Sequence, residues 1–371
     1  PTHRRHKVLS TMSQQDPTQN HRAVLIGLGG IGANRPPDDS IYGTMPRSNA
    51  QAYALHPAVE LTAVCDLNPQ MLERFKADWQ DVWPDMRTYT DADEMFAAEK
   101  PSLVSVVTSD HAHADLVVNA ARTPSVRAIL CEKPIATTLA DADRMIAATD
   151  AEGVLLSIEH TRRWDPRYVE AKRLIDSGEL GPVRTIHAEL YSQRAMLFRN
   201  GTHLIDQINY YADGDAAWVM ADLEEGYEDF TEYRGDGGRD PDSEPYASAY
   251  IRYDNGVRAF YNSYKMDFPG SQIVITCEQG RLELSDQHAH VIQGKSHYEW
   301  PTTDLVVGGF MYERLIGALH ELIHTLEHGG QLVSDGPEGR KTLELILAMM
   351  ASHEHGNARI DLPLNPNRAG D

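Results

Sequence analysis

Two stretches of this 371-residue chain have the residue types and spacing for chemistry. The first is Ala23-Val-Leu-Ile-Gly27-Leu-Gly29-Gly30-Ile31-Gly32, an apolar run that breaks into glycines at G-x-G-x-x-G spacing. Gly27 would allow a tight turn, Gly29 would let a pyrophosphate approach the backbone, and Gly32 would permit close packing of a helix on a strand. The loop through Gly30 and Ile31 would then aim amide N–H groups at phosphates. A second apolar run, Leu61 to Cys65, ends at Asp66. A carboxylate there would accept hydrogen bonds from both ribose hydroxyls of NAD and repel a 2′-phosphate, unless it is simply a turn residue. The second stretch is His320-Glu321-Leu-Ile-His324, the H-E-x-x-H pattern of zinc peptidases, with Glu344 further along the chain. It reads as coincidence, because residues 310–328 carry the apolar period of a scaffold helix and Glu344 falls in another helical stretch. No metal is expected.

The elements that must position these residues alternate. Strand-like runs at Leu103–Thr108, Val126–Cys131 and Val154–Ile158 are separated by helical patterns at Ala112–Ala121 and Leu139–Thr149, which means a doubly wound parallel sheet. Ligands bind such sheets beyond the carboxyl ends of the strands, here Thr108 to His113 and Glu132-Lys133-Pro134. Gly32 and Asp66 are further apart than the roughly 20 residues usual between these positions. The excess lies in a loop-like insertion, 34–46, that either covers bound cofactor or is inert.

The length suits two domains at roughly 100–200 residues each. The balance of 34 basic against 55 acidic residues, a net charge of −21, would repel phosphate backbones and anionic lipid, so neither nucleic acid nor membrane is an expected partner. No run approaches the ~20 apolar residues that span a bilayer. Cys65, Cys131 and Cys277 are too widely spaced for a disulfide framework and suit a reducing cytoplasm. Pro1 to Asn20 is polar, lacks the apolar core of a secretory signal, and reads as a disordered leader.

Cys131-Glu132-Lys133-Pro134 resembles the glucose-fructose oxidoreductase / inositol dehydrogenase family, Gfo/Idh/MocA. So do the glycine loop, Asp110-His-Ala-His113, Asp165-Pro-Arg-Tyr, Leu180-Gly-Pro-Val183 and Gly201-Thr-His203-Leu-Ile-Asp206. The likeness runs from about Ala23 to about Leu362. It implies a Rossmann domain over 21–160, followed over 161–371 by an α+β domain whose large, mostly antiparallel sheet mediates homodimers or homotetramers. It also implies NAD as cofactor, with Thr108, His113, Glu132 and Lys133 beside it. Lys133 corresponds to the family's catalytic lysine, where a cation can orient a substrate hydroxyl and favour the developing alkoxide. His203 matches the histidine that removes the hydroxyl proton. Asp206, one helical turn later, would orient that ring or bind a sugar hydroxyl.

The chain departs from the family pattern at Arg199, where many members carry an aspartate. A guanidinium can clamp a carboxylate, sulfonate or phosphate. Arg199, with Arg194 or Arg163, therefore either recognises an acidic group on the substrate or pairs with a surface acid. Arg162-Arg163-Trp164 either lines a sugar cleft or staples the two domains. The acidic, glycine-rich stretch 224–244 reads as an exposed loop that could serve as a lid. The expected activity is NAD-dependent oxidation of a sugar or polyol. The alternatives are a glycoside hydrolase that keeps NAD and acts on an acidic glycoside such as a sulfoquinovoside, and a non-catalytic NAD-binding regulator.

Overall fold

The computed structural model describes residues 20–35, 46–309 and 312–364. The expected leader up to residue 19 and most of the 34–46 insertion lie outside the described residues.

The first sheet has six short strands: β1 (His21–Ile26), β2 (Val59–Cys65), β3 (Arg87–Tyr89), β4 (Leu103–Val106), β5 (Ala128–Cys131) and β6 (Leu155–Ile158). Their order is β3-β2-β1-β4-β5-β6 and every neighbouring pair is parallel. β4 and β5 are buried at every residue. They read as unbroken apolar runs because both faces of the sheet are covered. The covering helices include α1 (Gly30–Ala33), α2 (Asn49–Leu55), α3 (Pro69–Trp79), α4 (Ala92–Glu99), α5 (His113–Ala121) and α6 (Leu139–Glu152). Side chains of Ser48, Asn68, Asp91 and Thr138 each accept a backbone N–H in the first turn of α2, α3, α4 and α6. These caps satisfy donors that a helix start cannot pair internally. The strand order reverses between β1 and β4, and a crevice opens there beyond their carboxyl ends.

After α7 (Pro166–Asp176) the chain builds a second sheet, with α8 (Thr202–Ala212) inserted after its first strand. The strands are β7 (Val183–Tyr191), β8 (Ala216–Leu223), β9 (Ala247–Tyr253), β10 (Arg258–Tyr264), β11 (Gly270–Cys277), β12 (Gly280–Ser285), β13 (Ala289–Gln293), β14 (Thr302–Asp304) and β15 (Ile360–Asp361). Their order is β14-β13-β12-β11-β7-β10-β9-β8-β15, antiparallel throughout except for β7 with β10. Burial alternates along β9, the signature of a sheet with one covered face. That face packs on α8 and on α10 (Gly336–Glu354), where Ser352 Oγ accepts the N–H of Ala221 in β8 at 2.8 Å.

The two sheets do not divide the chain as cleanly as its order suggests. Helix α9 (Arg314–His328) follows the last long strands of the second sheet, yet Leu315, Ile316, Leu319, Leu322 and Ile323 share one core with Leu25, Leu103 and Leu130 of the first sheet. Glu321 of the H-E-x-x-H pattern is committed there, accepting from Val333 N and from Trp164 Nε1 at 3.2 Å.

Arg163 and Trp164 join these layers. The Arg163 side chain is 2% exposed and donates to both carboxylate oxygens of Asp206 at 2.8–3.1 Å, to Glu338 at 3.1 Å, and to the carbonyl of Val333. Of the two readings for these residues, the geometry is that of a staple between α8, α9 and α10. Burial pushes the Asp206 carboxyl up, but Arg163, then His160, overcome it and hold it below the usual carboxylate range. Removing one partner of such a pair leaves a buried charge alone. Arg163→Met is therefore expected to lower unfolding free energy by about 3–5 kcal/mol in equilibrium urea titration, and Arg163→Met with Asp206→Leu to regain most of it.

Candidate functional site

The glycine loop shows why each glycine is there. Gly27 has φ of +92°, its N–H donates to Cys65 O at 2.9 Å, and a Cβ on it would lie 2.4 Å from Val107 O. On Gly32 a Cβ would lie 2.2 Å from Gly27 O, so helix α1 could not approach β1 with any larger residue. Gly29 is different. A Cβ there would meet nothing within 4 Å, and Gly29 and Gly30 are exposed while Ile31 is half-buried. The loop therefore presents bare backbone to the crevice, as a pyrophosphate needs. Asp66 Oδ2 accepts the N–H of Leu28 at 2.9 Å and Oδ1 that of Asn68 at 2.9 Å, which fixes the half-buried carboxylate beside the loop. Each oxygen keeps acceptor capacity for a ribose hydroxyl.

Beyond β4 and β5 the expected cofactor residues separate into two kinds. Thr108 is half-buried at the end of the β4 segment. His113 is fully buried, with Nδ1 at 3.0 Å from Pro134 O and Nε2 at 3.2 Å from Thr108 O. That leaves no free edge for a cofactor, and the ring braces one strand end against the other. Glu132 is also buried, and its Oε2 accepts the N–H of Lys133 at 3.1 Å.

Lys133 reaches from this edge into the second domain. Its side chain is buried, and Nζ donates to Arg199 O at 2.7 Å. Arg199 lies in a wide, π-type helical turn, Leu197–Gly201, that leads directly into α8, and His203 is the second residue of that helix. Both candidate catalytic groups thus border one turn. Burial, then Arg199, brings the Lys133 ammonium down to about 8, against the opposing pull of Glu132, Asp110 and Glu244. Burial, then Lys133, Arg162, His160 and Arg199, drives His203 well below its usual range, so its imidazole is neutral at physiological pH. Its Nδ1 is buried without a partner among the described residues.

Asp206 does not orient His203, because its carboxylate is taken by Arg163 and also lies 3.4 Å from His160 Nδ1. His160 in turn lies edge-on to His203, centroids 6.2 Å apart. The aspartate's influence on His203 passes through that second ring. Arg163 and Trp164 are equally removed from any substrate by their staple contacts. Arg199 is half-buried and packs its aliphatic stem against Gly238, and among the described residues its guanidinium has no carboxylate partner. Exposed Arg194 donates to Gly238 O.

The 224–244 stretch is less exposed than its acids and glycines suggest. Tyr233 is buried, stacks on Phe198 with centroids 3.8 Å apart, and donates its hydroxyl to Asp110 at the edge of the first sheet. The Nδ1 of His111 lies 2.8 Å from Gly235 O. A Cβ on Gly235 would sit 2.5 Å from Thr137 Cγ2, so only glycine lets the loop lie this close. The loop forms a strap from the second domain across the carboxyl edge of the first. Sequence reasoning missed Tyr233 and the buried Glu244, and gave Asp110 no role beyond its motif. The single aromatic at Tyr233, within the run Thr231 to Asp240, was the available signal.

Known proteins share this arrangement. The model described as "Oxidoreductase family, NAD-binding Rossmann fold" matches residues 21–160, and that described as "GFO/IDH/MocA C-terminal domain" matches residues 168–283. The chain is 33% identical over 174 residues to an inositol 2-dehydrogenase of Salmonella typhimurium, covering 46% of each protein. It thus spans about half the length of that relative. It is 25% identical over 337 residues to a D-apiose dehydrogenase of Paraburkholderia graminis, covering 85% of this chain and 86% of the relative. The solved WlbA dehydrogenase of Bordetella pertussis, in complex with NADH and UDP-GlcNAcA, superposes with a TM-score of 0.70 at 20% identity, covering 94% of this chain and 100% of that one. With both halves of the family matched in order, on a parallel sheet followed by a mostly antiparallel one, the chain belongs to the Gfo/Idh/MocA family of oxidoreductases.

Proposed function

We propose that the protein is an NAD-dependent dehydrogenase that oxidises a hydroxyl-bearing carbon of a sugar, cyclitol or acidic sugar derivative. The observation that carries this reading is the bond from Lys133 Nζ to Arg199 O, which holds a buried amine and a neutral imidazole at one turn beside the dinucleotide crevice. The loop fits NAD: Gly29 is open, Gly27 and Gly32 admit nothing larger, and Asp66 is held where a ribose diol would lie. When bound, NAD supplies the hydride acceptor.

The protein's own groups handle the proton. A base is most effective when its pKa lies near the working pH. Lys133, at about 8, meets that condition, whereas burial, then the cations around it, makes His203 a poor holder of a proton. We therefore assign proton acceptance to the neutral amine of Lys133, and to His203 the donation of its ring N–H to the alcohol oxygen, which orients the alcohol and steadies the alkoxide that forms. This reverses the roles expected from the family resemblance. Arg199 and Arg194 are the groups suited to an anionic end of the substrate.

The second sheet's uncovered face carries a ring ladder. His187 stacks on Phe260 at 4.6 Å, Phe260 on Tyr250 at 5.0 Å, and Trp218 meets Tyr250 edge-on at 5.1 Å. Met220 is 41% exposed beside it. We propose that a second copy of the chain covers this face, in a homodimer or homotetramer. Cys65, Cys131 and Cys277 are buried free thiols, which suits a reducing cytoplasm, and no described helix is long and apolar enough to cross a membrane.

Because Lys133 accepts a proton only as the free amine, kcat/KM for oxidation, followed as NADH absorbance, is expected to rise with pH through about 8. Lys133→Met is expected to remove that rise and lower kcat by about 10²- to 10⁴-fold with NAD binding retained. Aglycone release from a chromogenic glycoside without net NADH would point to the hydrolase instead. In fluorescence titration, Asp66→Ser is expected to weaken NAD and narrow the preference over NADP. Arg199→Ala is expected to raise KM for D-glucuronate about 10-fold or more while sparing neutral polyols.

A further inference from the structure

Buried carboxylates that brace this fold have both oxygens engaged. Asp165 accepts from Arg167 on Oδ1 and from Arg167 and Arg314 on Oδ2. Asp206 is held on both oxygens by Arg163, and Glu321 accepts from Val333 N on Oε1 and from Trp164 on Oε2. Glu244 is built differently. It is 1% exposed, just ahead of β9, and its Oε2 accepts the N–H of Phe198 at 2.8 Å, but its Oε1 is buried with no partner. Leaving such an acceptor dry and unpaired costs a protein stability. Glu159 also has one unpartnered oxygen. Its position is different, because burial, then the neighbouring carboxyl of Glu132, keeps it protonated, so it does not offer an anionic acceptor.

The surroundings of Glu244 are those of the site. Phe198, which tethers one oxygen, belongs to the same turn whose Arg199 carbonyl holds Lys133. Lys133 lies within electrostatic reach, yet forms no ion pair with Glu244 among the described residues. Asp110, Asp236, Arg194 and Tyr233 face the same carboxyl. The amine and the carboxyl sense each other without an ion pair among the described residues, so Oε1 keeps its acceptor capacity for a third polar group.

We propose that Glu244 is a further substrate-binding residue, whose free Oε1 accepts a hydrogen bond from a second hydroxyl of the substrate, next to the one that Lys133 serves. This rests on the dehydrogenase reading above and narrows it: the substrate carries adjacent free hydroxyls at the reacting end, and any anionic group lies at the Arg199 end. Burial, opposed by the Phe198 amide, holds the Glu244 carboxyl at about 7, so at mildly alkaline pH it is an anion, the stronger kind of acceptor. The Tyr233 strap roofs the pair and excludes water that would compete for Oε1.

The test compares wild type with Glu244→Gln and Glu244→Ala at pH 8, using myo-inositol and D-glucose with their monodeoxy analogues as probes. Turnover is read as NADH formation, and affinity as calorimetric binding to the enzyme–NADH complex. Both variants are expected to raise KM and Kd for the fully hydroxylated probe by about 10- to 100-fold, to change kcat less, and to keep NADH affinity. One monodeoxy analogue should bind wild type as weakly as the parent binds Glu244→Ala, with no further loss when the two changes are combined. Unchanged KM and Kd in Glu244→Gln, or losses that add fully for every deoxy position, would overturn the role of Glu244 while leaving the dehydrogenase reading intact. Wild-type protein that binds NADH but neither oxidises nor binds any of the probes would overturn the reading on which the proposal rests, and the proposal with it.

Discussion

The bond from Lys133 to the Arg199 carbonyl crosses the seam between the two sheets, and the chemistry of the site follows from how that charge is kept. An ammonium in a buried position loses hydration that a single carbonyl only partly replaces. The surrounding acids, Glu132, Asp110 and Glu244, supply the balance without forming an ion pair that would lock the amine in its charged form. The result is an amine poised between its two protonation states. Burial, then the positive field of Lys133 and its neighbours, keeps the His203 ring neutral. Two groups that look interchangeable as bases in the sequence are thus separated by their surroundings, since the acids that support the Lys133 charge have no counterpart at His203.

Steric constraints were legible in the chain itself. The spacing of Gly27, Gly29 and Gly32 asks for bare backbone at those positions; the contacts of a hypothetical Cβ bear this out at Gly27 and Gly32, whereas at Gly29 the space is open toward the crevice. The doubly wound parallel sheet followed similarly from alternating periods. Partnership between charges was far less legible. For Arg163 the sequence left cleft lining and a domain staple equally open, and for Asp206 a contact to His203 or to a sugar hydroxyl; the two satisfy each other across 43 positions of chain. Nothing in the sequence states which cation an anion will meet. His113 was misread for a related reason: a histidine just past a strand end can look outward to a ligand or inward to carbonyls, and only the packing of Pro134 decides.

Glu244 and Tyr233 were hidden by composition. They stand in a run of acids and glycines whose average property is exposure, and an average conceals an aromatic and a carboxylate that are both buried. Their partners, Asp110 and Phe198, belong to other elements, so no periodicity within the loop marks them.

The return of α9 to the first sheet has a consequence for biosynthesis. One face of that sheet, through Leu25, Leu103 and Leu130, is covered in part by side chains between Leu315 and Ile323. A ribosome that has released all six parallel strands has therefore made a nucleotide-binding layer with an uncovered greasy flank, and must elongate through β7 to β14 before the missing helix emerges. A fragment ending near residue 160 would keep that flank bare, the kind of exposed apolar surface that drives aggregation.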